Sequence, residues 1–124
     1  MIQILEKNRW LAIVLTIVCA FLIFYISSIT FPTGSGKTYP IATIYHFTAF
    51  SYLTLFLVIS LTKGKPSKSL IIIGILLAII YGILDEIHQL FVPGRFASNK
   101  DILIDSFGII LTAIAYSNWT NRKR

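Results

Sequence analysis

Hydrophobic positions along this chain fall into four long runs, each separated from the next by a short polar stretch. The runs cover about residues 10–31, 41–61, 70–92 and 102–119. A helix needs about 20 mostly apolar residues to cross a bilayer core, so each run predicts a membrane-spanning helix. The fourth is the weakest, because Asp105 lies inside it. The connections, Pro32–Pro40, Thr62–Ser69 and Pro93–Asp101, are short enough to make consecutive helices antiparallel neighbours. The first run is too long for a signal-peptide core, and no small-x-small cleavage site follows it, so it is read as a retained helix. The pattern predicts an all-α, integral membrane four-helix bundle in which residues 1–124 form a single domain.

Composition agrees with the pattern. Of 124 residues 56% are hydrophobic and 13% charged, where soluble domains carry about 25% charged residues. The net charge of +6 gains meaning from its placement. With the N-terminus cytoplasmic, Lys7, Arg9, Lys63, Lys65, Lys68, Arg122, Lys123 and Arg124 lie inside, and Lys37, Arg95 and Lys100 lie outside. The positive-inside rule then puts both termini in the cytoplasm, with Trp10 and Trp119 at the inner boundary. These cations flank apolar segments and do not gather on a basic face, which argues against nucleic acid as a partner and leaves membrane lipids as the expected one. The lone cysteine, Cys19, has no intramolecular disulfide partner.

One loop invites a nucleotide-binding reading. Gly36-Lys37-Thr38 matches the end of a Walker A loop, but Phe31 stands where that pattern needs its first glycine. No strand precedes the loop, as the pattern requires. A turn rich in Pro, Gly and Ser is the simpler reading.

The candidate chemistry lies at membrane depth, where ionisable residues are costly and face a bundle interior or a cavity. Asp85 is expected roughly 10 Å below the outer end of its helix, His46 roughly 9 Å and Asp105 roughly 6 Å. Asp85 and Gln89 are spaced i,i+4 and Asp85 and His88 i,i+3, so the three share a face. Glu86 lies about 100° round from Asp85, near Gln89. Asp101 repeats the i,i+4 spacing with Asp105 and is also well placed as a helix N-cap. Tyr25, Ser27, Ser28 and Thr30 bring hydroxyls to the outer end of the first helix, where bonding to their own backbone is the ordinary outcome for Ser and Thr. Gly82 and Gly108 are positioned to let helices approach closely. The expected reacting groups are Asp85, Glu86, His88, Arg95 and Asp105, with His46, Gln89 and Asp101 as substrate-binding residues.

The run "DEIHQLFVPGR", followed by Asp101, Asp105 and Gly108 and preceded by His46-Phe47, resembles the VanZ-like family of small bacterial membrane proteins. Phe50 stands where that family is expected to carry Tyr. The resemblance covers nearly the whole chain. It implies a bacterial plasma-membrane protein of about four helices. The family takes its name from a member associated with low-level resistance to teicoplanin, a glycopeptide that binds cell-wall precursors. No reaction comes with the resemblance.

Three function classes fit these residues. In an enzyme acting on a lipid-linked or cell-envelope substrate, Arg95 would hold a phosphate bidentately and His88 or Glu86 would act as general base. Asp85, His88 and Asp105 offer alternative cation ligands, but Glu-x-His is not the His-Glu-x-x-His of zinc peptidases, and no metal or other cofactor is assigned. A binding protein without chemistry would hold a lipid headgroup, a cell-wall precursor or the glycopeptide. A transporter fits least, because the polar level sits near one surface and not at the midplane. Oligomeric state is not legible.

Overall fold

The computed structural model describes residues 1–30, 40–65 and 67–123; the Gly36-Lys37-Thr38 stretch lies outside them. The described residues are helical: α1 (Ile2–Lys7), α2 (Arg9–Ser27), α3 (Pro40–Thr62), α4 (Lys68–Gln89) and α5 (Asn99–Arg122). Each of α2, α3, α4 and α5 is long and apolar enough to cross a membrane. At about 1.5 Å per residue the shortest, α2, is roughly 28 Å long, close to the bilayer core thickness of about 30 Å. Large apolar side chains such as Val14, Ile17, Phe21, Ile72, Leu76, Ile80, Leu111 and Ile114 point outward, as they do in a bundle whose surroundings are lipid.

The packing has a simple order. α3 touches α2, α4 and α5, α4 touches α2, α3 and α5, and α2 and α5 do not meet. α3 and α4 are therefore the inner diagonal, with α2 and α5 at opposite corners. One apolar cluster joins Val58, Ile59, Ile71, Ala113 and Tyr116 to Leu5 of α1. A second joins Ile23, Phe50, Leu53, Ala78 and Ile109. Two glycines set the helix spacing. A Cβ on Gly108 would stand 2.9 Å from the Phe47 carbonyl oxygen, and one on Gly82 3.3 Å from the Phe50 ring. α3 thus approaches α5 at a distance that a missing side chain permits, and lies close against α4 at Gly82.

Several boundaries differ from the sequence expectation. α1 was not anticipated; it buries Leu5 against the bundle. α4 stops at Gln89, and the apolar residues Leu90–Val92 leave the helix through i→i−3 bonds, from Leu90 N to Ile87 O, Phe91 N to His88 O and Val92 N to Gln89 O. Pro93 disfavours helical backbone at the residue before it. Val92, Pro93, Gly94 and Arg95 then form a tight turn closed by Arg95 N to Val92 O at 3.1 Å, with Gly94 at φ 80°. Asp85 is therefore four residues from its helix end, roughly 6 Å. α5 begins at Asn99, and its N-cap is Ser98, not Asp101. The Ser98 hydroxyl accepts from the Asp101 N–H at 3.4 Å, which places Asp101 in the first turn. A Ser three residues ahead of an acid is itself a helix-start signal.

Trp10 in the first turn of α2 and Trp119 in the last turns of α5 lie at the end of the bundle that carries both termini, and both are exposed. That end is called here the terminal end, and its opposite the distal end.

Candidate functional site

At the distal end four helices deliver polar side chains into the interior. Asp85, Glu86 and Gln89 are buried on α4, Asp105 on α5, His46 on α3 and Ser27 on α2. Asp85 is 4% exposed and Asp105 1%. The i,i+4 spacing in α4 keeps Asp85 and Gln89 on one face, and Glu86 is drawn inward beside them.

The hydrogen bonds tie these groups together. Asp85 Oδ2 accepts from Ser27 Oγ at 2.9 Å and from Gln89 Nε2 at 3.1 Å. Gln89 Nε2 also reaches Glu86 Oε1 at 3.4 Å, so one side-chain amide serves two carboxylates. Glu86 Oε2 accepts from the Ser98 N–H at 2.7 Å. Asp105 Oδ1 lies 3.1 Å from His46 Nδ1. The His46 ring is parallel to Phe50, with centroids 6.4 Å apart, and Tyr45 meets it edge-on at 5.6 Å. A ring nitrogen of His46 and one oxygen each from Asp85 and Glu86 lie within 4.8 Å of one another.

Beside these bonded atoms stand four buried polar atoms with no hydrogen-bond partner: Asp85 Oδ1, Asp101 Oδ1, Asp105 Oδ2 and Tyr45 Oη. They are all the buried unpartnered side-chain N and O atoms among the described residues, and all four belong to the distal end. Buried polar groups in folded proteins are nearly always paired, so their concentration at one place marks it as unlike the rest of the interior.

Two of the expected site residues stand apart from the carboxylates. His88 is only half-buried; it stacks on Phe24 at 4.4 Å and contacts Ser28 Oγ at 2.9 Å, towards α2. Arg95 also turns to α2: its Nε donates to Ile29 O at 3.0 Å and its Nη2 to Ile26 O at 2.7 Å. These nitrogens, expected to face an anion or Asp85, are engaged by the carbonyl end of a helix, where a cation also meets the helix dipole favourably. Thr30 Oγ1 donates to Pro93 O at 2.9 Å and completes this clasp. Asp101 is half-buried in the first turn of α5. Conversely, Ser27 bonds to Asp85 and not to its own backbone, and Tyr45 was not singled out at all. The signal for Tyr45 was its place beside His46 in the sequence; nothing in the local pattern marked Ser27 as different from Ser28.

A sequence model of the VanZ/LLP1 family matches residues 4–120, and this span contains every element of the site. The chain belongs to the VanZ/LLP1 family. With its four membrane-length helices it is a membrane protein of VanZ type. No curated protein and no solved structure gives a significant match. In this VanZ chain the Asp-Glu-x-His-Gln run sends Asp85, Glu86 and Gln89 inward and His88 to the rim, while Pro-Gly-Arg forms the turn that clasps α2. The position where Tyr was expected holds a fully buried Phe50 against His46 and Gly82, so this VanZ interior has no hydroxyl there.

Proposed function

We propose that this protein is a bacterial plasma-membrane protein, with both termini cytoplasmic, whose distal end binds or acts on a cell-envelope or lipid-linked ligand from the outer leaflet. The observation that carries the reading is the group of four buried, unpartnered polar atoms on Asp85, Asp101, Asp105 and Tyr45. Intramembrane carboxylates are expensive, and open acceptors at one level suit a polar headgroup or a cation better than a scaffold. An apolar groove of about 440 Å³ between α3 and α5, lined by Ile44, Phe47, Leu103 and Phe107 with Lys100 at its edge, suits an acyl chain whose head lies at this level. In this reading Asp85, Glu86, Asp105 and His46 meet the ligand's polar group, Gln89 and Asp101 flank it, His88 exchanges protons at the rim, and Arg95 holds the turn over α2.

The test is a binding and turnover screen of purified protein in nanodiscs against envelope lipids and lipid-linked cell-wall precursors. At least one class should bind, and Asp85→Asn and His46→Ala should weaken it tenfold or more while the variants still elute as folded protein. Undiminished binding in both variants would remove the distal cluster from the function. Teicoplanin susceptibility of cells with and without the protein is the matching cellular measurement.

A further inference from the structure

We infer that His46, Asp85 and Glu86 form a binding site for a single divalent transition-metal ion, with Asp105 as the carboxylate that orients the histidine. One potential donor atom from each of the three lies within 4.8 Å of the other two, and all three residues are buried. Bound at about 2.1 Å, such donors stand roughly 3–4 Å apart, so closure by on the order of 1 Å suffices. Rotation of the two carboxyl groups supplies that; it brings in the unpartnered Asp85 Oδ1 and shifts Asp85 Oδ2 and the Glu86 oxygens from their bonds to Ser27, Gln89 and Ser98.

Three further observations point the same way. Metal-binding histidines commonly give their other ring N–H to a carboxylate, which fixes the ring and its tautomer. The 3.1 Å contact from His46 Nδ1 to Asp105 Oδ1 has that form for an ion held by Nε2. Charge is the second. Asp85, Glu86 and Asp105 are buried together, with His46 Nδ1 3.1 Å from Asp105 Oδ1. A buried charge must be paired or bind a metal, and a dication meets that need for two carboxylates at once. The third is that Asp105 Oδ2, buried and unpartnered, lies 3.6 Å from the place a Gly82 Cβ would take. Gly82 is one turn before Asp85 and Glu86, so a further open oxygen borders the same space. One imidazole with two carboxylates is a mixed nitrogen and oxygen set. It favours ions such as Mn²⁺, Fe²⁺ or Zn²⁺ over Ca²⁺ and Mg²⁺, which prefer oxygen alone.

This shares its location with the proposed function but does not depend on an envelope ligand, so it is tested with none present. Chelator-stripped protein in detergent is titrated with Zn²⁺ and with Mn²⁺, and bound metal is measured after gel filtration alongside the melting temperature. Wild type should retain one ion per chain and melt higher with it. His46→Ala, Asp85→Asn and Glu86→Gln should each lower the affinity at least tenfold, while His88→Ala keeps it. Should a variant fail to fold, Co²⁺ bound to wild type decides: a visible spectrum characteristic of mixed imidazole and carboxylate ligation, displaced by Zn²⁺, supports the site. No retained metal in wild type, retention of only Mg²⁺ or Ca²⁺, or undiminished binding in all three variants overturns it. Wild type that binds metal but none of the envelope ligands would count against the proposed function alone.

Discussion

The two ends of the bundle treat buried polar groups in opposite ways. At the terminal end Glu6 on α1 accepts from Tyr116 Oη at 3.3 Å and from Lys123 Nζ at 2.6 Å. Tyr116 in turn contacts Thr62 Oγ1 at 3.1 Å, and Arg9 Nε donates to Ser60 O at 3.1 Å. One carboxylate there has one ammonium and one phenol, and its bonds close. At the distal end, among the described residues, Asp85 Oδ1, Asp101 Oδ1, Asp105 Oδ2 and Tyr45 Oη have no hydrogen-bond partner. The same four membrane-length helices run between the two ends, so the membrane setting does not explain the contrast. Unpaired polar groups persist only where the surrounding structure over-determines them, and they cluster at functional sites. The terminal end closes its polar bonds, and the distal end is where the proposed site lies.

Several measurements would break or sharpen that contrast. The largest effect expected is all-or-none. In a Cys19→Ser background, an impermeant thiol reagent should label Ala97→Cys in intact cells and Lys65→Cys only after lysis. The reverse pattern would put the distal end in the cytoplasm. Next is Gly108→Ala, which sets a Cβ 2.9 Å from the Phe47 carbonyl. Forcing atoms into a packed interior costs about 1–3 kcal/mol, so melting in detergent should fall clearly. The comparison itself is tested by a matched pair in chelator-treated protein. Asp85→Asn replaces an unpartnered acceptor with a donor facing acceptors, and should leave stability unchanged or raise it by about 1 kcal/mol. Glu6→Gln weakens two closed bonds and should lower it by about 1 kcal/mol. Equal losses at both ends would dissolve the contrast. The smallest effect belongs to Lys123→Ala, since a partly exposed ion pair contributes less than about 1 kcal/mol.

The architecture was legible because lipid-spanning helices announce themselves by length and continuity. The site was legible in part, because i,i+4 spacing carries Asp85 and Gln89 together and charges at membrane depth are conspicuous. What the sequence hid was direction across the bundle. Spacing placed His88 on the Asp85 face, yet a helix face spans a wide arc, and His88 lies at its edge against Phe24 while Glu86 turns inward. The contacts of Arg95 with α2 were hidden for a related reason: a Pro-Gly turn gives a change of direction but not the neighbour it meets, here the carbonyls of Ile26 and Ile29. Leu90, Phe91 and Val92 extended the apparent third helix because hydrophobicity reports contact with an apolar medium and not backbone conformation. α1 escaped notice because one buried leucine in six residues makes no periodic signal.

The Ser98 amide has a consequence of its own. Its N–H ends on Glu86 Oε2 at 2.7 Å, while its hydroxyl caps the first turn of α5. One residue thereby couples the start of a helix to a carboxylate on the neighbouring helix. Whatever draws Glu86 away leaves the Ser98 N–H without its acceptor. The Ser98 N–H is therefore a built-in reporter: its hydrogen exchange, slow while Glu86 holds it, would quicken each time the distal carboxylates take hold of something else.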